Sequence, residues 1–236
     1  MRNKRTLAVI PARGGSRRIP RKNIKDFLGQ PIIKYSIDTV IKSNCFDEIM
    51  VSTDDKEIAR IAIECGAKVP FFRSAQNSND HATTADVIEE VLQEYQKRGI
   101  NYDYVCCLYA TAPFIKADKI IRAKRLLEKS DADSILPVSR YSFPIQRSFN
   151  INSEGFLVLN WPQNINTRSQ DLVPSYHDAG QFYLLKVSSF LKQKKLFAEK
   201  TIPIITSEME VQDMDCEEDW KIAEAKYIIL NKIHGE

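Results

Sequence analysis

The sequence predicts an α/β fold, a three-layer sandwich with a mostly parallel sheet and helices on both faces. Short apolar runs alternate with amphipathic ones along most of the chain. The amphipathic runs keep a helical period, and the apolar runs are of strand length. A third observation places a ligand: a glycine pair flanked by cations directly follows the first apolar run. Open α/β sheets bind ligands at the carboxyl ends of their strands, which is where that loop falls.

Strands are predicted over 6–10, 48–53, 68–72, 104–109 and 134–138, each a short apolar run. Helices are predicted between them. Over 32–42 the apolar positions Ile33, Ile37, Val40 and Ile41 fall at offsets 0, 4, 7 and 8. Over 84–98, Ile88, Val91, Leu92 and Tyr95 fall at 0, 3, 4 and 7. Both sets line one helical face. Thr83 followed by Asp86 reads as a capping box at the second of these helices. Residues 55–65 and 117–129 follow the same pattern less clearly. After Ser139 the composition changes. Residues 141–176 are rich in Asn, Gln, Pro and Ser, with short alternating pieces such as 156–159. They read as a β-arm inserted over 140–177. The core then resumes with strands at 181–186 and 201–206 and a final helix over 217–233.

The chain has 236 residues, of which 43% are hydrophobic, enough for one packed domain over 1–236. No apolar run approaches the ~20 residues of a membrane helix. The apolar stretch after the basic start is too short for a signal peptide. The five cysteines show no C-x-x-C spacing and read as free thiols of a cytoplasmic protein. No membrane partner is expected.

Charge is concentrated. Residues 1–25 hold nine Lys and Arg and no acid, whereas residues 26–236 hold 25 basic against 31 acidic groups, or −6. A general nucleic-acid binder more often spreads its basic patch over a face, so no nucleic-acid partner is expected. Residues 13–25 alone carry six cations around Gly14 and Gly15. Backbone amides with Arg and Lys aimed at one point suit a nucleoside triphosphate. The alternative is a solvated basic turn. Neither G-x-x-x-x-G-K-[ST] nor G-x-G-x-x-G is present, which excludes the two commonest phosphate loops.

A second constellation lies at 211–219, V-Q-D-M-D-C-E-E-D. On an extended segment Asp213 and Asp215 point the same way and suit a hard divalent cation that also takes phosphate oxygens. Asp215 with Glu218 equally reads as a capping box for the last helix. Asp219 completes a D-x-D-x-x-x-D pattern with this pair and equally suits a first helical turn. Thr53-Asp54-Asp55 ends the second predicted strand, with Asp55 reading as a helix cap and Asp54 as a weaker site residue.

The run P-A-R-G-G-S-R-R-I-P-R-K-N from Pro11 resembles the nucleotide loop of the sugar-acid cytidylyltransferases, the CMP-sialic acid synthetase family. D-F-L-G-Q-P-I-I-K-Y-S-I from Asp26 and V-S-T-D-D-K-E-I-A from Val51 agree. Three later runs are most similar to the pseudaminic acid branch. They are L-Y-A-T-A-P-F from Leu108, N-T-R-S-Q-D-L from Asn166 and Y-H-D-A-G-Q-F-Y from Tyr176. The resemblance covers nearly the whole chain. It implies a Rossmann-like, GT-A-like nucleotidyltransferase fold. It implies transfer of CMP from CTP to a nonulosonic acid with Mg²⁺, in a homodimer whose arm reaches the partner's sugar site. The sugar hydroxyl attacks the α-phosphorus and pyrophosphate leaves.

The resemblance also assigns residues. Ala12, Gly14, Gly15 and Ser16 would line the nucleotide, Arg13 and Lys22 would hold phosphates, and Asn23 would contact the nucleoside. Arg73 and Thr84 would complete that site, although Thr84 equally suits a helix N-terminus. Asp213 and Asp215 would bind the metal. The sugar side would come from Tyr109, Arg168, Gln170, Asp171, His177, Asp178 and Gln181. Arg168 is the natural bidentate partner of the sugar carboxylate. His177 reads equally as a structural hydrogen-bonding histidine. In the sialic acid branch the run equivalent to that from Tyr109 begins Gln-Pro. The departure speaks against neuraminic acid and favours a different stereochemistry or acyl pattern, with legionaminic, neuraminic and 3-deoxy-octulosonic acid as alternatives to pseudaminic acid. An RNA-binding module would need the basic loop but not the acidic pair.

Overall fold

The first strand is buried on both sides, and its side chains divide between two cores as a period of two requires. Leu7 and Val9 join one apolar cluster, and Ala8 and Ile10 join another. This is a computed structural model, and it describes residues 4–234. From the amino end the elements are β1 (Thr6–Pro11), β2 (Asp26–Phe27), β3 (Gln30–Pro31), α1 (Ile32–Ser43), β4 (Glu48–Ser52), α2 (Lys56–Glu64), α3 (Thr84–Lys97), β5 (Tyr104–Leu108) and α4 (Ala117–Lys129). The second half adds β6 (Ser134–Arg140), β7 (Phe149–Ile151), β8 (Leu157–Leu159), β9 (Tyr176–Asp178), β10 (Phe182–Lys186), α5 (Val187–Gln193), β11 (Thr201–Thr206) and α6 (Glu217–His234).

The main sheet runs β11-β6-β10-β5-β1-β4, with β9 paired to β6. β1 is parallel to both β4 and β5, and β11 is parallel to β6. β10 is antiparallel to β5 and β6, and β9 to β6. The expected three-layer, mostly parallel sandwich is therefore present. α1, α2 and α4 cover one face through Ile33, Ile37, Ile58, Ala62, Ile120 and Leu127. α3 and α5 cover the other through Ile88, Val91, Tyr95 and Phe190. The Thr83–Asp86 capping box closes in both directions at the start of α3.

Residues 68–72 do not form the expected strand. Lys68 makes a single bridge to Met50, with Val51 N–H donating to Lys68 O and Lys68 N–H to Ile49 O. Pro70 has no N–H to continue the ladder, so pairing stops there. Two elements are additional. β2 and β3 form a two-residue hairpin in which Leu28 (φ 52°) and Gly29 (φ 89°) both take left-handed backbone, as a type I′ turn requires. α5 is the other. The 141–176 region contains the β7–β8 hairpin, which pairs only with itself among the described strands.

A third apolar cluster matters most for function. Ile19 from the basic loop, Phe27 from the hairpin, Ile32, Phe114, Met214, and Trp220 and Ala223 of α6 are buried together. Phe27 stands edge-on to Tyr35, Trp220 and Tyr227, with ring centroids 5.4, 5.7 and 5.6 Å away. Edge-to-face geometry adds to the burial of such rings. The cluster fastens the amino-terminal loop to the carboxyl-terminal segment. No helix among the described residues is long and apolar enough to cross a membrane.

Trp220 is almost completely buried in this cluster, so Trp220→Ala should cost about 3–5 kcal/mol. Denaturant unfolding followed by circular dichroism checks this; a loss well under 1 kcal/mol would show that the cluster is not a working core.

Candidate active site

β1, β4 and β5 all end on one edge of the sheet, and the segments that follow them build an open cleft of about 470 Å³. The basic loop after β1 forms one wall. Thr83 and Thr84 at the start of α3, with Arg73, Asn79 and Asp80 before them, form the wall opposite. Tyr109, Ala110 and Thr111 after β5 form the floor, and Asp213 and Asp215 close one end.

Four of the six loop cations, Arg13, Arg17, Arg18 and Lys22, line the cleft. The other two, Arg21 and Lys25, turn to carboxylates outside it. Arg21 adopts left-handed backbone (φ 55°). Its guanidinium turns to Asp55 with contacts of 2.6 and 3.0 Å, and reaches Glu57. Lys25 pairs with Glu217 and lies 4.8 Å from the ring centre of Trp220. These two cations brace the loop. Arg21 makes the stronger brace because its planar fork takes a carboxylate bidentately.

Asp55 does double work. It caps α2 by accepting from the N–H groups of Glu57 and Ile58, and it holds Arg21. Together these contacts keep its carboxyl pKa at about 2, the Arg21 hydrogen bond being the largest influence. Gly14 runs against this aspartate: a Cβ there would lie 2.8 Å from Asp55 Oδ2, too close for any other residue without displacement. Around Gly15 the space is open, as a backbone that must meet a ligand requires. Gly14 N–H donates to Asp54 Oδ1 (2.9 Å), and Ser16 N–H to Gly14 O. Two of the three expected backbone donors are thus engaged within the loop, and Ser16 contributes as a cleft-lining residue. Ala12 is fully buried beneath, its N–H donating to Ser52 O. Asn23 lines the cleft and donates from Nδ2 to Arg13 O at 2.9 Å.

On the opposite wall Arg73 is buried, its Nε donating to Ser52 Oγ at 3.0 Å and its Nη2 to Ser52 O. Burial disfavours its charge and lowers its pKa from the usual guanidinium value. No carboxylate lies within ion-pair distance of it among the described residues. Asp54 and Glu90 support the charge from beyond ion-pair distance, and the guanidinium lines the cleft, where an anion would add to that support. Asp80, which the sequence reading did not single out, pairs with Arg13 (2.8 Å) and Arg17 (2.7 Å). Nothing local in the sequence marks it, because its partners lie far away in the chain.

Asp213 and Asp215 project into the cleft while Met214 between them is buried. Asp215 pairs with Arg18 (2.7 Å) and lies 3.6 Å from Lys22. The capping alternative for Asp215 is corrected: Asp219 accepts from the N–H groups of Asp215 and Cys216 at the start of α6. Asp219 therefore serves the helix, and Asp213 and Asp215 are left to the cleft. Among the described residues no cluster of three or more His, Cys, Asp or Glu could hold a metal. Two carboxylates with room beside them fit Mg²⁺, which completes its shell with phosphate oxygens and water.

The sugar-side residues divide. Tyr109 lines the floor, its hydroxyl 3.5 Å from Thr84 Oγ1 and its ring packed edge-on to Tyr183. Burial raises its pKa. The Tyr183 hydroxyl donates to Asp178, linking Asp178 to the floor. Tyr183 was not anticipated; its place in the run from Tyr176 was the available signal. His177 stacks beside Tyr141 and bonds through Nδ1 to Asp178 O. Gln181 is buried and donates to Glu210 O. Arg168 and Asp171 pair with each other on the exposed arm, and Gln170 lines a separate groove at its base. Of the seven sugar-side residues only Tyr109 is in the cleft lining; within one chain Arg168, Gln170, Asp171, His177, Asp178 and Gln181 stand outside it.

A family model described as cytidylyltransferase matches residues 7–227. The chain belongs to the cytidylyltransferase family. A pseudaminic acid cytidylyltransferase from Campylobacter jejuni is 38% identical over 98% of both chains. A CMP-N,N'-diacetyllegionaminic acid synthase from Legionella pneumophila is 34% identical, covering 97% of this chain and 98% of that one. A solved CMP:2-keto-3-deoxy-manno-octonic acid synthetase complexed with CTP shares this cytidylyltransferase's fold. Its TM-score is 0.66 at 16% identity, covering 97% of this chain and 99% of that one. A 4-diphosphocytidyl-2C-methyl-D-erythritol synthase aligns with TM-score 0.67 at 11% identity, covering 96% and 100%.

A carboxylate whose pKa is depressed on folding stabilises above its unfolded value and loses that contribution as pH falls through the folded one. The stability difference between wild type and Asp55→Asn should therefore be largest above about pH 4 and shrink towards about pH 2. Urea unfolding across that range measures it; a pH-independent difference would contradict the Arg21–Asp55 brace.

Proposed function

We propose that this cytidylyltransferase transfers CMP from CTP to pseudaminic acid, releasing pyrophosphate. One observation carries the nucleotide half. Four cations and a buried arginine face two carboxylates across one cleft at the carboxyl edge of the sheet. Arg13, Arg17, Arg18 and Lys22 hold the triphosphate, with Gly15 allowing its close approach. Arg73, Thr84 and Asn23 complete the nucleotide site. Asp213 and Asp215 hold Mg²⁺. When bound, that ion supplies charge that draws the triphosphate and polarises its α-phosphoryl group. The fixed cations oppose the negative charge that grows on the departing pyrophosphate. The catalysis is mostly electrostatic.

The sugar assignment is supported by the Campylobacter jejuni relative and by Tyr109 on the cleft floor. Asp178, fastened to Tyr183, places a carboxylate beside that floor for the sugar hydroxyls. Legionaminic acid is the second reading, since the Legionella pneumophila relative is nearly as similar. The described cysteines are unpaired, which fits a reaction run in the reducing cytoplasm.

We further infer that residues 1–236 act as one nucleotidyltransferase domain and that the 140–177 arm works in a homodimer. An isolated two-stranded hairpin is barely stable in water. Here it exposes Phe149, Ile151, Phe156 and Leu157, each more than half accessible. Large apolar side chains left exposed together on one hairpin mark a protein interface. Arg168, Gln170 and Asp171 sit on the same arm and would meet the partner's sugar site.

Lys22→Ala should lower kcat by about 100-fold or more while circular dichroism shows an intact fold; wild-type kcat would refute the phosphate role. Pyrophosphate release with CTP and each sugar in turn should be fastest with pseudaminic acid, and a higher kcat/KM for legionaminic acid would reassign the substrate. In analytical ultracentrifugation the wild type should sediment as a dimer and Leu157→Lys as a less active monomer. A fully active monomeric variant would rule out the shared site.

A further inference from the structure

The acidic pair lies on an extended stretch between β11 and α6, with no sheet partner to set its path. Its position comes from a polar clamp just before it. Glu210 is 9% exposed, a deep placement for a carboxylate. Its Oε1 lies 2.6 Å from Lys116 Nζ, and its Oε2 meets Lys119 Nζ. Both lysines stand at the start of α4, and Lys119 also donates to Thr206 Oγ1. Burial alone would raise the pKa of Glu210, but the two lysines outweigh it and hold the carboxyl below its usual value.

The backbone is fastened at the same place. Gln181, itself 3% exposed, donates from Nε2 to Glu210 O. Lys226 of α6 donates to Val211 O at 2.9 Å. Three residues further on, Met214 is buried in the third apolar cluster. The segment is thus fixed on both sides of Asp213, by ions and amides before it and by apolar packing after it.

We propose that Glu210 is a positioning residue for Asp213 and Asp215, locking their carboxylates in the geometry that a divalent cation requires. This rests on the metal reading of that pair. Glu210 faces α4 and Gln181 and is not among the cleft-lining residues, so its effect passes through the backbone. Groups that orient metal ligands change affinity markedly when removed. The same placement gives Gln181 its role: it secures the Glu210 peptide from the end of the sheet, where Tyr109 N–H donates to Gln181 O. A largely buried acidic residue three positions before the pair therefore belongs to its support.

The test is Mn²⁺ binding to the CTP complex by electron paramagnetic resonance, with Mg²⁺ half-saturation of turnover alongside. Asp213→Asn serves as the reference variant. Glu210→Gln should weaken Mn²⁺ binding and raise the Mg²⁺ half-saturation by about tenfold, whereas CTP binding in EDTA should stay within about twofold. A merely structural role would lower the unfolding midpoint without moving either metal curve. That result, alongside a weakened Asp213→Asn, overturns the positioning role alone. If Asp213→Asn also leaves Mn²⁺ binding unchanged, the metal reading falls and this proposal with it. Should Glu210→Gln fail to fold, the same titrations on Lys116→Gln decide: weaker metal binding upholds the clamp, and unchanged curves overturn it.

Discussion

A small apolar cluster joins the two ends of the chain, and the active-site cleft depends on it. Ile19 and Met214 are buried together with Trp220. Each sits among charged neighbours that cannot be buried. Arg18 and Lys22 flank Ile19, and Asp213 and Asp215 flank Met214. Burying the two apolar side chains therefore brings cations and carboxylates to one rim. The resulting Arg18–Asp215 pair is largely exposed, and exposed pairs contribute little stability. The cluster supplies the binding energy, and the charges supply the chemistry.

The sheet provides the second constraint. Three parallel strands ending side by side place a basic loop, an aspartate pair and a tyrosine floor on one edge. Asp54 and Asp55 show how closely the pieces are fitted. Asp54 takes the Gly14 N–H, and Asp55 caps α2, holds Arg21 and leaves no room for a Cβ at Gly14. A loop carrying six like charges would otherwise spread apart. Here its glycine lies against one carboxylate, two of its cations are tied to carboxylates outside the cleft, and the rest face inwards.

Most of the fold was legible in the sequence because it rests on local signals. Helical spacing marked α1 and α3, the Thr83–Asp86 pair marked a cap, and apolar runs marked every strand that the core buries. Pro70 defeated the expected strand at 68–72, because one missing N–H outweighs three apolar neighbours, Val69, Phe71 and Phe72. α5 escaped notice because its seven residues bury only Phe190. For the site, the alternation of Asp213 and Asp215 was readable from a period of two. Which cations face the cleft was not. That choice is made by Asp55 and Glu217, residues brought near only by the finished fold. Asp80 and Glu210 were invisible for the same reason, since each acts through a partner distant in sequence.

The central claim is that one triphosphate lies between the basic loop and the acidic pair. Diffraction from crystals grown with CTP and Mn²⁺, collected at the manganese absorption edge, tests it directly. The expected result is an anomalous peak between the carboxylates of Asp213 and Asp215. The triphosphate should lie against Gly15 and the side chains of Arg13, Arg18 and Lys22. A nucleotide bound elsewhere, or manganese coordinated away from both aspartates, would contradict the account.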